Sequence, residues 1–341
     1  MDYLDQLLKK LTLATGIGYA GNVTDVVCEE LRSYGVDTRV EKDGSVYGKL
    51  TGAQDIGVML ACHIDEIGFM VSSVDDVGRI GLSGVGGIDV RILPGQEVTV
   101  HGRENVRGYI GAKPPHLLTA DERKKVLPIE KLFVDTGLTP AVVKKSVSVG
   151  DCISFLGSYT TLQGDLRSVK AIDNRASVAC GLMVMKELAR GECPCHLHFV
   201  ATSQEEYTCL GARIHSYALP VSYAIVVDVT FGEFPDLKDH EYFPLNSGPV
   251  ISRGATIPET LYDLLIAAAK EIEIPHQIEA VPTFTSTDAD AIAFNREGIP
   301  TCLIGIPVRY MHTPIEVVSL KDIHRCQRLI VSFLKHLTQK S

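Results

Sequence analysis

Between about Gly68 and Gly164 the chain changes its texture, and this change limits the folds open to it more than any other feature. On both sides of the segment, apolar positions at helical spacing alternate with short apolar runs. Helical spacing covers residues 3 to 13, 23 to 34, Ala176 to Arg190, 259 to 272, 288 to 296 and about 320 to 338. Asn22 or Thr24 stands where it would cap the second of these helices. Strand-like runs lie at Ser45 to Leu50, Gly57 to Cys62, His196 to Ala201, Ala224 to Asp228 and Thr301 to Gly305. Inside the segment the pattern is different. Val/Ile/Gly-rich runs at Phe69 to Val74, Gln96 to Val100, Val106 to Gly111 and Cys152 to Phe155 are separated by Gly and Pro turns, with one charged helical or looped stretch at Ala120 to Val126. Alternating strands and helices bury their apolar faces as a sheet with helices on both sides. The expected fold class is therefore α/β, a helix-sandwiched sheet interrupted by a smaller β-rich insertion. The chain leaves the sheet just after Asp65 and returns just before Asp173, giving an α/β domain of residues 1–66 and 164–341 and an insertion of residues 67–163.

Composition removes several classes of function. The formal net charge is -9, and Lys124-Lys125 and Lys144-Lys145 are isolated pairs, so no basic tract is long enough to follow a phosphate backbone. Nucleic acid is not an expected partner. No apolar run approaches the roughly 18 to 20 residues of a membrane span, and the acidic-amphipathic start from Met1 to Lys10 does not read as a signal peptide. Nine cysteines without regular spacing fit reduced thiols, hence a cytoplasmic location, better than a disulfide framework. Cys193-Pro-Cys195-His196-Leu-His198 resembles a set of soft metal ligands, but its proline reads as a turn entering a strand, and the second reading is preferred.

In an open α/β sheet, ligands bind beyond the carboxyl ends of the strands. His63 and Asp65 follow one predicted strand, Glu205 and Glu206 a second, Asp228 ends a third, and His312 follows a fourth after a loop. Asp173 opens a helix. Singly, each has an ordinary explanation: a helix cap for Asp173, an Arg or Lys partner for Asp228, a hydrogen-bonded core for the histidines, a solvated strand end for the glutamates. Together they place two imidazoles and at least three carboxylates at one sheet edge, the donor set favoured by zinc and related divalent ions. Two adjacent acids at the end of a buried strand also need protons or cations to offset several kcal/mol or more of burial cost, on the order of that for an unpaired charge. A bridging carboxylate with two sets of one His and one acid would hold two ions roughly 3.5 to 4 Å apart and leave one glutamate free as a base.

Ala61 to Phe69 (with His63, Asp65 and Glu66), Ala171 to Arg175, Thr202 to Tyr207, Val227 to Thr230 and Met311 to Glu316 resemble, in order, the motifs of the tetrahedral aminopeptidases, metallopeptidase family forty-two, which include glutamyl aminopeptidases. Gly86 to Ile88, Gly111 to His116 and Val134-Asp135 extend the resemblance into the insertion. It implies a mixed sheet of the di-zinc exopeptidase type with a PDZ-like insertion that makes dimer contacts in a twelve-subunit tetrahedron. It also implies metal ligation by His63 and Asp228 for one ion, Glu206 and His312 for the other, and Asp173 between them. Glu205 becomes the general base, and Asp65 orients a ligand or tunes its basicity. The implied activity is a metal-dependent aminopeptidase that removes N-terminal residues from short peptides by a metal-bridged hydroxide, with zinc, cobalt or manganese as the pair of ions.

A related metal-dependent deacylase or carboxypeptidase shares such ligands and stands as the alternative. A glycan hydrolase of endoglucanase or cellulase type fits worse, since it needs two carboxyl groups about 5 to 9.5 Å apart on opposite sides of a bond. Glu205 and Glu206 are neighbours, the two histidines would have no purpose, and the chain has no Trp to stack on a sugar. A metal- or peptide-binding scaffold without activity is disfavoured by the glutamate at position 205. For specificity, Arg253, Arg309 and Tyr310 are the side chains considered.

Overall fold

The computed structural model describes residues 1–238 and 241–340; residues 239, 240 and 341, which belong to the expected 164–341 segment, lie outside the described residues. Among the described residues, eleven strands form one mixed sheet. At its centre Thr301–Arg309, Tyr223–Phe231, Gln54–His63 and Cys195–Thr202 lie side by side and parallel. Their outer neighbours are antiparallel: Val46–Leu50 and Asp37–Val40 on one side, Glu316–Ser319, Leu166–Val169 and Thr160–Thr161 on the other. Val250–Gly254 pairs antiparallel with Thr301–Arg309 and parallel with Gln277–Val281.

The central strands are apolar without alternation because both of their faces are covered. Val58, Leu60 and Cys62 join one core with the helices Asp2–Leu13, Val23–Ser33, Ile172–Arg190, Glu259–Glu271 and Leu320–Lys340. Met59 and Ala61, on the other face, pack with Ala212 and Ile292 of the short helices Leu210–Ala218 and Asp288–Ala293. Helix Ile172–Arg190 sits close enough to the sheet that a Cβ at Gly181 would meet the Phe199 ring at 2.5 Å.

The insertion is β-rich, and its strands close into a six-stranded barrel in the order Phe133–Asp135, Ile80–Val85, Gly68–Val74, Cys152–Phe155, Glu97–His101 and Asn105–Gly111. Phe69 and Phe155 meet edge-on inside it, with ring centroids 5.2 Å apart, among Val71, Leu82, Val98 and Ile153. Where the chain enters the barrel, Glu66 is buried between two cations, Lys170 (Nζ–Oε2 2.5 Å) and Arg175 (Nη2–Oε1 3.6 Å), and accepts the Gly16 N–H at 2.9 Å. This tie joins the strand that departs to the segment that returns.

Several local expectations change. Asn22 precedes the second helix, but its Oδ1 accepts the Thr15 N–H instead of capping the helix. The stretch Ala120 to Val126, read as helical or looped, is a loop with the short turn Glu122–Lys124. The helix expected over 288–296 ends at Ala293, and the one expected from Ala176 begins at Ile172 with non-helical torsions at Asp173 and Asn174. The soft-ligand reading of Cys193 to His198 is not supported: Cys193 Sγ donates to the Cys195 carbonyl, His196 faces Asp55, and His198 bonds Tyr47.

Candidate active site

Parallel register brings the expected residues to one edge. Thr202 pairs with His63, Val226 with Ala61 and Gly305 with Asp228, so the carboxyl ends of all four central strands finish together. After Thr202 the chain turns through Gln204, at φ +61°, into the single turn Glu205–Thr208, which lifts both glutamates over that edge. The kink at Asp173 releases that residue from helical geometry, and among the described residues its carboxylate is met by the rings of His312 and His63 instead of a backbone N–H. The cap explanation for Asp173 therefore fails.

Asp173 instead lies between the two histidines. Its Oδ1 is 3.2 Å from His63 Nε2 and its Oδ2 is 3.2 Å from His312 Nε2. Around His63 Nε2 stand Asp228 Oδ1 and Glu205 Oε2, each at 3.7 Å, and Glu206 Oε2 lies 3.5 Å from His312 Nε2. His312 Nδ1 is 2.9 Å from the carbonyl of Gly87. A carbonyl only accepts, so Nδ1 carries the proton and the Nε2 lone pair of a neutral ring points at the carboxylates. Asp65 accepts the backbone N–H of Glu205 (3.1 Å) and of Glu206 (3.2 Å) and lies 3.5 Å from His63 Nδ1.

The electrostatics are those of too many acids for the cations present. Burial pushes Glu205 up to about 9, Glu206 up to about 10 and Asp228 up to about 7. Burial would raise Asp173 too, but the His312 and His63 rings on its two oxygens hold it well below the usual carboxylate range. At His63 burial opposes the charged ring, yet Glu205, Asp173, Asp65 and Asp228 outweigh it and raise the group well above its ordinary value. Among the described residues no Lys or Arg pairs with Asp173, Glu205, Glu206 or Asp228, and Glu206 Oε1 is buried with no hydrogen-bond partner. A donor set of imidazole nitrogen and carboxylate oxygen, with an orphaned buried oxygen, suits divalent cations. His63, Asp173 and Glu206 present atoms within 4.8 Å of one another, a spacing that suits a metal centre.

Two further acids belong to this edge and carried no role in the sequence reading. Glu316 is buried; its Oε2 accepts the Asp173 N–H at 3.0 Å and its Oε1 the His312 N–H at 2.8 Å, so one carboxylate holds both backbones. Asp288, 1 % exposed, accepts the Thr202 hydroxyl at 2.5 Å. Glu316 closes the Met311 to Glu316 motif; Asp288 follows a Ser-Thr pair that reads as a helix start, which disguises it.

The site opens into a cavity of about 550 Å³ lined by His63, Asp173, Glu205, Glu206, Asp228 and His312 on one side and by Arg213, Glu279, Asp290 and Leu303 on the other. Arg253 and Arg309 do not line it: the first pairs with Glu259 and the second with Glu233. Tyr310 stacks edge-on against Phe234, also away from this wall.

Comparison with known proteins identifies the family. The family model for M42 glutamyl aminopeptidase matches residues 44–329. The lysyl aminopeptidase of Pyrococcus furiosus is 30 % identical over 338 residues, covering 97 % of each chain. The crystal structure of a TET aminopeptidase from a marine sediment Thaumarchaeota archaeon superposes with a TM-score of 0.93 at 30 % identity, over 98 % of this chain and 97 % of the other. The Pyrococcus horikoshii TET1 peptidase, described as assembling into a tetrahedron or a large octahedral shell, superposes with a TM-score of 0.84 at 27 % identity, over 97 % and 99 %. The chain belongs to the M42 glutamyl aminopeptidase family, and is thereby an aminopeptidase.

Proposed function

We propose that His63 and Asp228 hold one divalent ion, Glu206 and His312 a second, and Asp173 both, in a co-catalytic centre that hydrolyses the first peptide bond of short peptides. The observation that carries this reading is Asp173, whose two oxygens face the two imidazoles at 3.2 Å each. Zinc, cobalt and manganese all suit these donors. When bound, such ions polarise the scissile carbonyl and acidify water. Glu205, raised by burial and with no Lys or Arg partner among the described residues, takes the proton of the attacking water and returns it to the leaving amine. Asp65 fixes the backbone of the glutamate pair, so the base and its ligating neighbour keep their separation.

The cavity beyond the centre receives the first side chain. Glu279 is fixed there, its oxygens accepting the hydroxyls of Thr230 at 3.1 Å and Ser252 at 3.2 Å, and it has no cationic partner among the described residues. Arg213 is exposed at the rim, shared with a neighbouring outer cavity. A cationic first residue is the best match for this wall. The barrel of residues 67–163 acts in this reading as a PDZ-like dimerisation domain of a tetrahedral dodecamer, a tetrahedron being one of the two assemblies described for the TET1 relative.

The test is a metal count beside a rate. Glu205→Gln should keep about two divalent ions per chain while turnover on an aminoacyl anilide falls about 10²- to 10⁴-fold, and Asp173→Ala should lose metal. Full turnover of Glu205→Gln refutes the base; metal retained by Asp173→Ala refutes the centre. Hydrolysis of an N-acyl amino acid in place of the anilide would transfer the site to a deacylase or carboxypeptidase.

A further inference from the structure

Beside the proposed centre lies a second group of ligands that its chemistry does not use. Cys209, Asp288 and Glu205 each present an atom such that all lie within 4.8 Å of one another. Cys209 occupies the break between the turn Glu205–Thr208 and helix Leu210–Ala218, at φ +51°, and this left-handed residue returns its Sγ toward Glu205, 3.8 Å from that residue's carbonyl. Asp288 contributes the second, independent sign. One of its oxygens takes the Thr202 hydroxyl, while Oδ1 is buried with no hydrogen-bond partner. A buried carboxylate oxygen left unpaired is costly, and each such atom calls for an explanation.

We propose that Cys209, Asp288 and Glu205 form an inhibitory site for a third, thiophilic divalent ion. Binding breaks the Cys209 S–H bond, forms a sulfur–metal bond and releases that proton to solvent; no electron is transferred. The ion draws on the carboxylate of Glu205, which then no longer accepts a proton from water. Inhibition therefore rests on Glu205 being the base, whereas binding does not. One sulfur with two carboxylates selects the softer or borderline ions, zinc and cadmium, over magnesium and manganese. The cavity wall includes both Cys209 and Glu205, so an ion reaches the group from solvent without passing through the core.

The experiment titrates cadmium chloride, and separately zinc chloride, into protein already loaded with two ions per chain, reading anilide hydrolysis, bound metal and the ultraviolet sulfur-to-cadmium charge-transfer band. The expected result is a third equivalent with that band and a parallel loss of activity, while magnesium and manganese at equal concentration leave the rate unchanged. Cys209→Ser should keep the parent's rate without added metal, abolish the band and raise the inhibitory concentration at least tenfold. Seven of the other cysteines are buried and Cys152 is partly exposed, so a band that persists in Cys209→Ser assigns the sulfur elsewhere and overturns the site. Unchanged inhibition of Cys209→Ser overturns it as well. A third ion that binds through Cys209 without inhibiting keeps the site and refutes Glu205 as base.

Discussion

Replacing Glu66 by Gln tests how the barrel is joined to the sheet. Glu66 is the one carboxylate, among the described residues, paired with Lys170 and Arg175, and all three side chains are at most 5 % exposed. Gln preserves shape and still offers a carbonyl oxygen to the Gly16 N–H, so the change removes the charge and turns an NH2 group toward the Lys170 ammonium. Removing one partner of a buried pair is destabilising by about 3 to 5 kcal/mol, because the other charge stays buried. For 341 residues unfolding together, an entropy near 2.1 cal/mol/K per residue turns that loss into a fall in Tm of about 4 to 7 °C.

The pH dependence identifies the cause. Burial lowers the pKa of Lys170, with Glu66 the chief opposing influence, so in Glu66→Gln it falls further. Between that folded value and the unfolded one, the unfolded chain binds more protons, and stability rises with pH. The deficit of the variant against the parent should therefore be large near neutral pH and shrink as pH rises, by at most about 1.4 kcal/mol per unit. Urea unfolding of metal-free protein at one fixed concentration, followed by circular dichroism over a pH series, gives both numbers. A deficit below about 1 kcal/mol, well under the cost of an uncompensated buried charge, refutes the reasoning. So does a deficit that Lys170→Met fails to reduce when added to Glu66→Gln.

Two further outcomes follow from the site. Glu316→Gln presents an NH2 group to one of the two backbone donors it now accepts, at Asp173 or His312, so metal affinity measured against a chelator should fall about 10- to 100-fold; unchanged affinity would show that the two backbones hold themselves. Glu279→Gln should lower kcat/KM for a lysyl anilide about 10- to 100-fold, the worth of one charge-assisted hydrogen bond, and leave a leucyl anilide nearly unchanged; equal losses on both would assign Glu279 a structural task.

What the sequence made readable follows physical lines. Runs such as Gly57 to Cys62 and Ala224 to Val227 are apolar on both faces, a pattern that parallel strands share with few other elements, and an acid or histidine at the end of each is conspicuous. Hence the candidate ligands lie together at one edge. Barrel strand Ile80–Val85 carries Gly81 and Gly84, and Phe133–Asp135 is three residues long, so neither stands out by β-propensity. Gln277–Val281 exposes Ile278 and turns Glu279 inward, the reverse of an ordinary half-buried strand, which hid Glu279. Cys209 and Asp288 come together only through a left-handed turn and a short helix, and spacing along the chain carries no trace of that meeting.

The hydrogen bond from His312 to the Gly87 carbonyl gives the barrel a share in the chemistry. By connectivity the barrel is a detour in the chain, the kind of module that gene fusion adds or removes. By hydrogen bonding it selects the tautomer of a candidate ligand, and a Cβ at Gly87 would stand 2.7 Å from that ligand's Nδ1. A trimmed chain without the barrel would keep every candidate ligand and yet lose the orientation of one of them. Any partner that tilted the barrel would move the Gly87 carbonyl and, with it, the ring of His312.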